Sequence, residues 1–97
     1  MSFTLNIETD FSPQEVKEVI SSALEHEKHV AKYKVKRYST ICENFEAKYG
    51  FSSGELRARF ETGYIGEEND LFNWYISKRG LDHWSKRLEI LSSISLQ

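Results

Sequence analysis

The chain has 97 residues, of which 39% are hydrophobic and 29% charged, and a formal net charge of −2. That length accommodates one domain at most, and the slightly acidic balance argues against a mainly electrostatic nucleic-acid binder. No apolar run approaches the ~20 residues needed to cross a bilayer. The single cysteine, Cys42, forms no internal disulfide, and the stretch Met1–Asn6 has neither a basic nor an apolar leader region. A reducing cytoplasm is the expected location.

Residues 3–8 alternate, with Phe3, Leu5 and Ile7 on one side and Thr4, Asn6 and Glu8 on the other. The pattern predicts a short half-buried strand or extended arm within residues 1–10. Its apolar side requires cover, because a lone strand is not stable in water.

A long first helix is expected over 11–50. Ser12 is a natural N-cap, Pro13 occupies the first helical position and Glu15 completes an S-x-x-E capping box. Phe11 and Val16 are placed as a hydrophobic staple. No Gly or Pro follows Pro13 until Gly50, which reads as the stop. The apolar positions fall into two registers: Val16, Ile20, Ala23 and Val30, then Ala31, Val35, Tyr38, Cys42, Phe45 and Tyr49. The charged segment Glu25–His29 joins them. The spacing predicts one continuous helix; a break near residues 25–30 is the alternative.

Within 51–97, a second capping box at Ser52–Glu55 opens a short helix carrying Leu56 and Phe60 and ending at Gly63. Tyr64-Ile65-Gly66 is expected to be a tight connection that plugs a core edge. Glu67, Glu68 and Asp70 complement the positive end of a last helix over about 69–92. Its apolar stripe is Leu71, Trp74, Tyr75, Leu81, Trp84, Leu88 and Leu91. Gly80 inside that helix costs about 1 kcal/mol relative to Ala, which predicts close approach of a neighbouring helix there.

Chemistry-bearing patterns are sparse. His26 and His29 lack the spacing of H-E-x-x-H, and a metal site would need His83 and Asp82 from the other long helix; a solvated polar face accounts for them more simply. Cys42, in an apolar stripe, reads as a small core residue rather than a nucleophile. Lys28, Lys32, Lys34, Lys36 and Arg37, interleaved with Tyr33 and Tyr38, are compatible with nucleic-acid contact but at helical spacing fit a solvated face better. A ribbon-helix-helix reading of the N-terminal strand fits poorly, since its polar face is Ser2, Thr4, Asn6 and Glu8, without Arg or Lys. No catalytic, cofactor-binding or metal-binding residue is expected.

One block carries a resemblance. Phe45, Glu46, Lys48, Tyr49, Gly50, Ser52, Glu55, Phe60, Glu61, Gly63, Gly66, Glu67, Glu68, Asp70, Phe72 and Trp74 match the pattern F-E-x-K-Y-G-M-S-x-x-E-F…F-E-x-G-x-L-G-D-D-x-D-x-F-x-W. Over about residues 45–91 the chain resembles small helical antitoxin-like proteins of bacterial and archaeal toxin–antitoxin pairs. Phe51 stands where Met is usual, Ile65 where Leu is usual and Glu67-Glu68 where Asp-Asp is usual. The resemblance implies a non-enzymatic partner that masks a small, often nuclease-like toxin encoded nearby. It brings no catalytic residue.

The expected architecture is therefore a single, mostly α domain over 1–97. It has a short N-terminal strand, a long first helix, a short middle helix and a long last helix packed antiparallel on the first. Trp74, Leu81, Trp84 and Leu88 should face Val35, Tyr38, Cys42 and Phe45, with Phe60, Tyr64 and Ile65 closing one end. A first helix of ~55 Å outreaches a last helix of ~36 Å. Phe3, Leu5, Ile7, Val16, Val19, Ile20, Ala23 and Leu24 are then left as the expected partner or dimer interface. The function expected is protein–protein interaction, with a homodimer through the N-terminal strands and first helices. The alternatives are a DNA-binding regulator and, less favoured, a small metal-binding protein or enzyme. No membrane association is expected.

Overall fold

The long first helix forms without a break. In the computed structural model, which describes residues 1–63 and 69–96, α1 spans Pro13–Tyr49. The Ser12 hydroxyl accepts from the Glu15 N–H at 3.2 Å, and Pro13 sits in the first turn, where it has no N–H to waste. At the other end Gly50 takes φ +79° and its N–H donates to the Glu46 carbonyl at 2.8 Å. The charged segment Glu25–His29 does not break the helix, because it contains no Gly or Pro and its charges find partners on the surface. Lys28 meets Glu25 at 3.2 Å, and Glu27 accepts from Arg87 at 2.9 Å.

Helix α2 spans Ser53–Glu61, capped by the Ser52 hydroxyl, and Gly63 beyond it has φ +79°. Helix α3 spans Asn69–Ser93. The expected positions of Tyr64, Ile65, Gly66, Glu67 and Glu68 lie outside the described residues. Three contacts taken in order establish that α3 runs antiparallel to α1: Lys48 with Asp70, Tyr38 with Gly80, and Glu27 with Arg87. The molecule is consequently long and thin, 57 × 23 × 21 Å.

The core lies at the α2 end of this hairpin. Trp74 and Leu56 are fully buried, with Cys42 beside them. The Trp74 indole stacks against Phe45 and Tyr49, each at 5.6 Å, and meets Phe51 at 4.9 Å. Its N–H would be costly to bury unpaired; it donates to the Ser53 hydroxyl at 2.7 Å, while the Ser53 N–H donates to Glu46 at 2.8 Å. Helix α2 is fastened to α3 by Phe60 stacked on Tyr75 at 4.3 Å and by Arg57, which bonds Asp82 at 2.6 Å.

Gly80 answers the expectation placed on it. A Cβ there would stand 2.9 Å from the Tyr38 ring, so glycine lets that ring lie against the α3 backbone. Gly80→Leu should destabilise the fold by about 1–3 kcal/mol through overpacking. In a Tyr38→Ala background the penalty should shrink or reverse. Equal denaturation midpoint losses in both backgrounds would place the cause outside this contact.

Two expectations need correction. The N-terminal strand does not form: residues 1–9 carry no regular structure, and all are exposed. A strand exists only through ladder hydrogen bonds to a neighbour, and among the described residues no backbone hydrogen bond joins this arm to another segment. Trp84 is half-buried rather than buried with Trp74. The hydrogen bonds and ring contacts between α2 and α3 run from Phe72 to Asp82 and stop short of it. Its indole meets the His83 ring edge-on instead, with the Arg87 guanidinium 5.8 Å away.

Surface carboxylates tie the three helices together. Hydrogen bonds from Lys48 and then Tyr49 hold Asp70 below its ordinary pKa, and bonds from Arg57 and Tyr75 do the same for Glu61. At Asp82 partial burial pushes upward, but Lys78 and Arg57 together outweigh it and the carboxyl is lowered. Carboxylates of the unfolded chain bind protons at higher pH than these three. Their contribution is therefore complete above about pH 5 and is lost as the pH falls through about 4 and below. Thermal melts should show a flat midpoint from neutrality to about pH 5 and a fall beneath it. Asp82→Asn should flatten that fall.

Candidate interaction surface

The end of the molecule away from the Trp74 core is where α1 outruns its cover. Helix α3 stops at Ser93, where the Ser93 hydroxyl turns back to the Ile90 carbonyl at 2.6 Å. The first turns of α1 therefore have only the short C-terminal tail and the N-terminal arm near them. Phe3, Leu5, Ile7, Phe11 and Val19 are all more than half exposed, from 52% at Ile7 to 81% at Phe3. Ala23 is exposed as well, while Val16, Ile20 and Leu24 are half-buried.

Two shallow grooves lie among these residues. One, of about 360 Å³, is lined by the arm (Ile7, Thr9, Phe11), by Val16 and Ile20 of α1, and by Leu96 of the C-terminal tail. The other, of about 390 Å³, lies between Phe11, Glu15, Val16, Val19 and Ile20. Phe11 and Val16 thus border common grooves, as their staple spacing suggests. The structure brings Ile7, Val16 and Ile20 of the sequence-derived set around one groove and Val16, Val19 and Ile20 around the other. Phe3, Leu5, Ala23 and Leu24 line neither. Two contributors were missing from the sequence reading, Phe11 as a groove wall and Leu96. The alternation Ile94, Leu96 just past the last helix was the available signal for the second.

The rim is acidic. Glu15 lines the second groove, and Glu8, Asp10 and Glu18 alternate in sequence with the apolar side chains, against Lys17 as the nearby cation in the chain. Among the described residues none of these four acids forms an ion pair.

The residues with chemical potential lie elsewhere. Cys42 is buried in the core, and burial pushes its thiol pKa up, with the Ser53 hydroxyl opposing. At 3% exposure it packs in the core beside Leu56 and Trp74. His26 and His29 sit on the exposed side of α1 and His83 on that of α3. Among the described residues no three His, Cys, Asp or Glu side chains are grouped to hold a metal ion. No helix among the described residues is long and apolar enough to cross a membrane. No family model, curated protein or solved structure matches the chain.

Proposed function

We propose that this chain is a non-enzymatic protein–protein interaction module. It is the antitoxin-like member of a cytoplasmic pair and works by covering a small toxin encoded nearby. It associates as a homodimer. The observation that supports the reading is the apolar surface of the arm and the first turns of α1, which the chain does not cover itself.

Magnitudes favour a large contact. Fully burying a side chain of this kind is worth about 1.5–3 kcal/mol, so the parts of Phe3, Leu5, Ile7, Phe11 and Val19 that are still exposed supply roughly 5–10 kcal/mol between them. Association costs roughly 4–15 kcal/mol in lost freedom. Tight binding therefore also requires Val16 and Ile20, which means that the partner enters the grooves. The resemblance over residues 45–91 supports the antitoxin part of this reading, and the apolar surface supports the masking mode of action.

Co-expression with the product of the adjacent gene tests this. The chain should relieve growth arrest caused by that product and co-purify with it. Ile7→Asp with Phe11→Asp should abolish both effects while circular dichroism remains that of the parent. Full protection by that variant would remove the surface from the mechanism, and absence of any effect of the parent would remove the antitoxin reading.

A further inference from the structure

The exposed side of α1 changes the sign of its charge along its length. Two interleaved rows with heptad spacing run down it, Glu15, Ser22, His29 and Lys36 beside Val19, His26 and Tyr33, all of them exposed. Acids stand at the N-terminal end, Glu15 and Glu18. Between Ala31 and Cys42 there are four cations, Lys32, Lys34, Lys36 and Arg37, and no acid. Among the described residues Glu15, Glu18, Lys32, Lys36 and Arg37 form no ion pair. Acids in the first turns suit the helix's own dipole, but cations in mid-helix meet no such end. Tyr33 amid them is 61% exposed.

We propose that this stripe is the seam with a second copy of the chain, packed antiparallel, each copy's Glu15 and Glu18 facing the other's Lys32, Lys36 and Arg37. His26 stands midway between Glu15 and Arg37 in sequence, so a two-fold axis beside it superposes the acidic end of each helix on the basic middle of the other. A parallel pairing would set like charges together, and charge therefore selects the orientation. Ser22 and Ala23 near the axis are small and permit close approach. The seam takes Val19 and Ala23 from the apolar set and, with Glu15, one wall of the groove between Phe11 and Ile20; the groove lined by Ile7, Phe11, Val16, Ile20 and Leu96 stays free for the toxin. This inference rests on the homodimer part of the proposed function and names the face that makes it.

Sedimentation of the purified chain at low salt tests the seam through charge exchange. Glu15→Lys with Glu18→Lys should raise the dimer dissociation constant by about tenfold or more, and so should Lys36→Glu with Arg37→Glu. All four substitutions together should return it to within about threefold of the parent, because the pairs are re-formed with signs exchanged. That recovery also separates lost pairing from lost folding. Dimerisation of the parent should weaken as salt is raised. A dimer indifferent to the charge variants but dissolved by Ile20→Asp would overturn the seam and keep the homodimer; a parent that is monomeric throughout would overturn both. Binding of a short DNA duplex that Lys36→Glu with Arg37→Glu abolishes, with dimerisation unchanged, would give the basic turns to nucleic acid and overturn the proposal.

Discussion

Trp74→Ala should lower the unfolding free energy by about 3–5 kcal/mol, the range for removing a large aromatic from a packed core. Three rings lean on that indole and nothing of it reaches solvent. The substitution also leaves the Ser53 hydroxyl without the indole N–H that bonds it at 2.7 Å. For a small domain this is a large share of total stability. Trp84→Ala should cost clearly less, since Trp84 is half-buried and lies beyond the reach of α2. Urea denaturation of the two variants side by side is the check, and an equal or larger loss for Trp84 would relocate the core.

Leu56→Ala should cost about 2–5 kcal/mol and should act mainly on α2. That helix is only Ser53–Glu61 and buries just Ser53 and Leu56. A nine-residue helix is too short to persist alone in water, so its existence depends on Leu56 beside Trp74 and on Phe60 against Tyr75. Hydrogen exchange should show the amides of α2 losing protection before those of α1. Uniform loss across all three helices would mean that α2 and the hairpin fold as one unit.

The helices were legible because their boundaries are local chemistry. Ser12, Pro13 and Glu15 cap α1, Gly50 ends it, Ser52 and Glu55 open α2, and Gly63 follows it in the left-handed region. The face of α1 carrying Ala31, Val35, Tyr38, Cys42, Phe45 and Tyr49 was readable from its spacing, and all six are buried or half-buried. The arm was not readable. Alternation at Phe3, Leu5 and Ile7 states which side is apolar, but a strand needs a neighbour, and no local pattern reports whether one exists. The depth of Trp84 was equally hidden, because it depends on how far α2 reaches along α3. The candidate surface was legible in part, since relative helix lengths left the first turns of α1 short of cover. The contributions of Phe11 and Leu96 came from tertiary placement of the two chain ends.

The central claim is that the exposed side of α1 is built to pack against another chain, in the first place a second copy of this one. Light scattering of the purified protein at micromolar concentration addresses it most directly. The account predicts a species of twice 11.4 kDa. A monodisperse, well-folded monomer of 11.4 kDa under those conditions would contradict it.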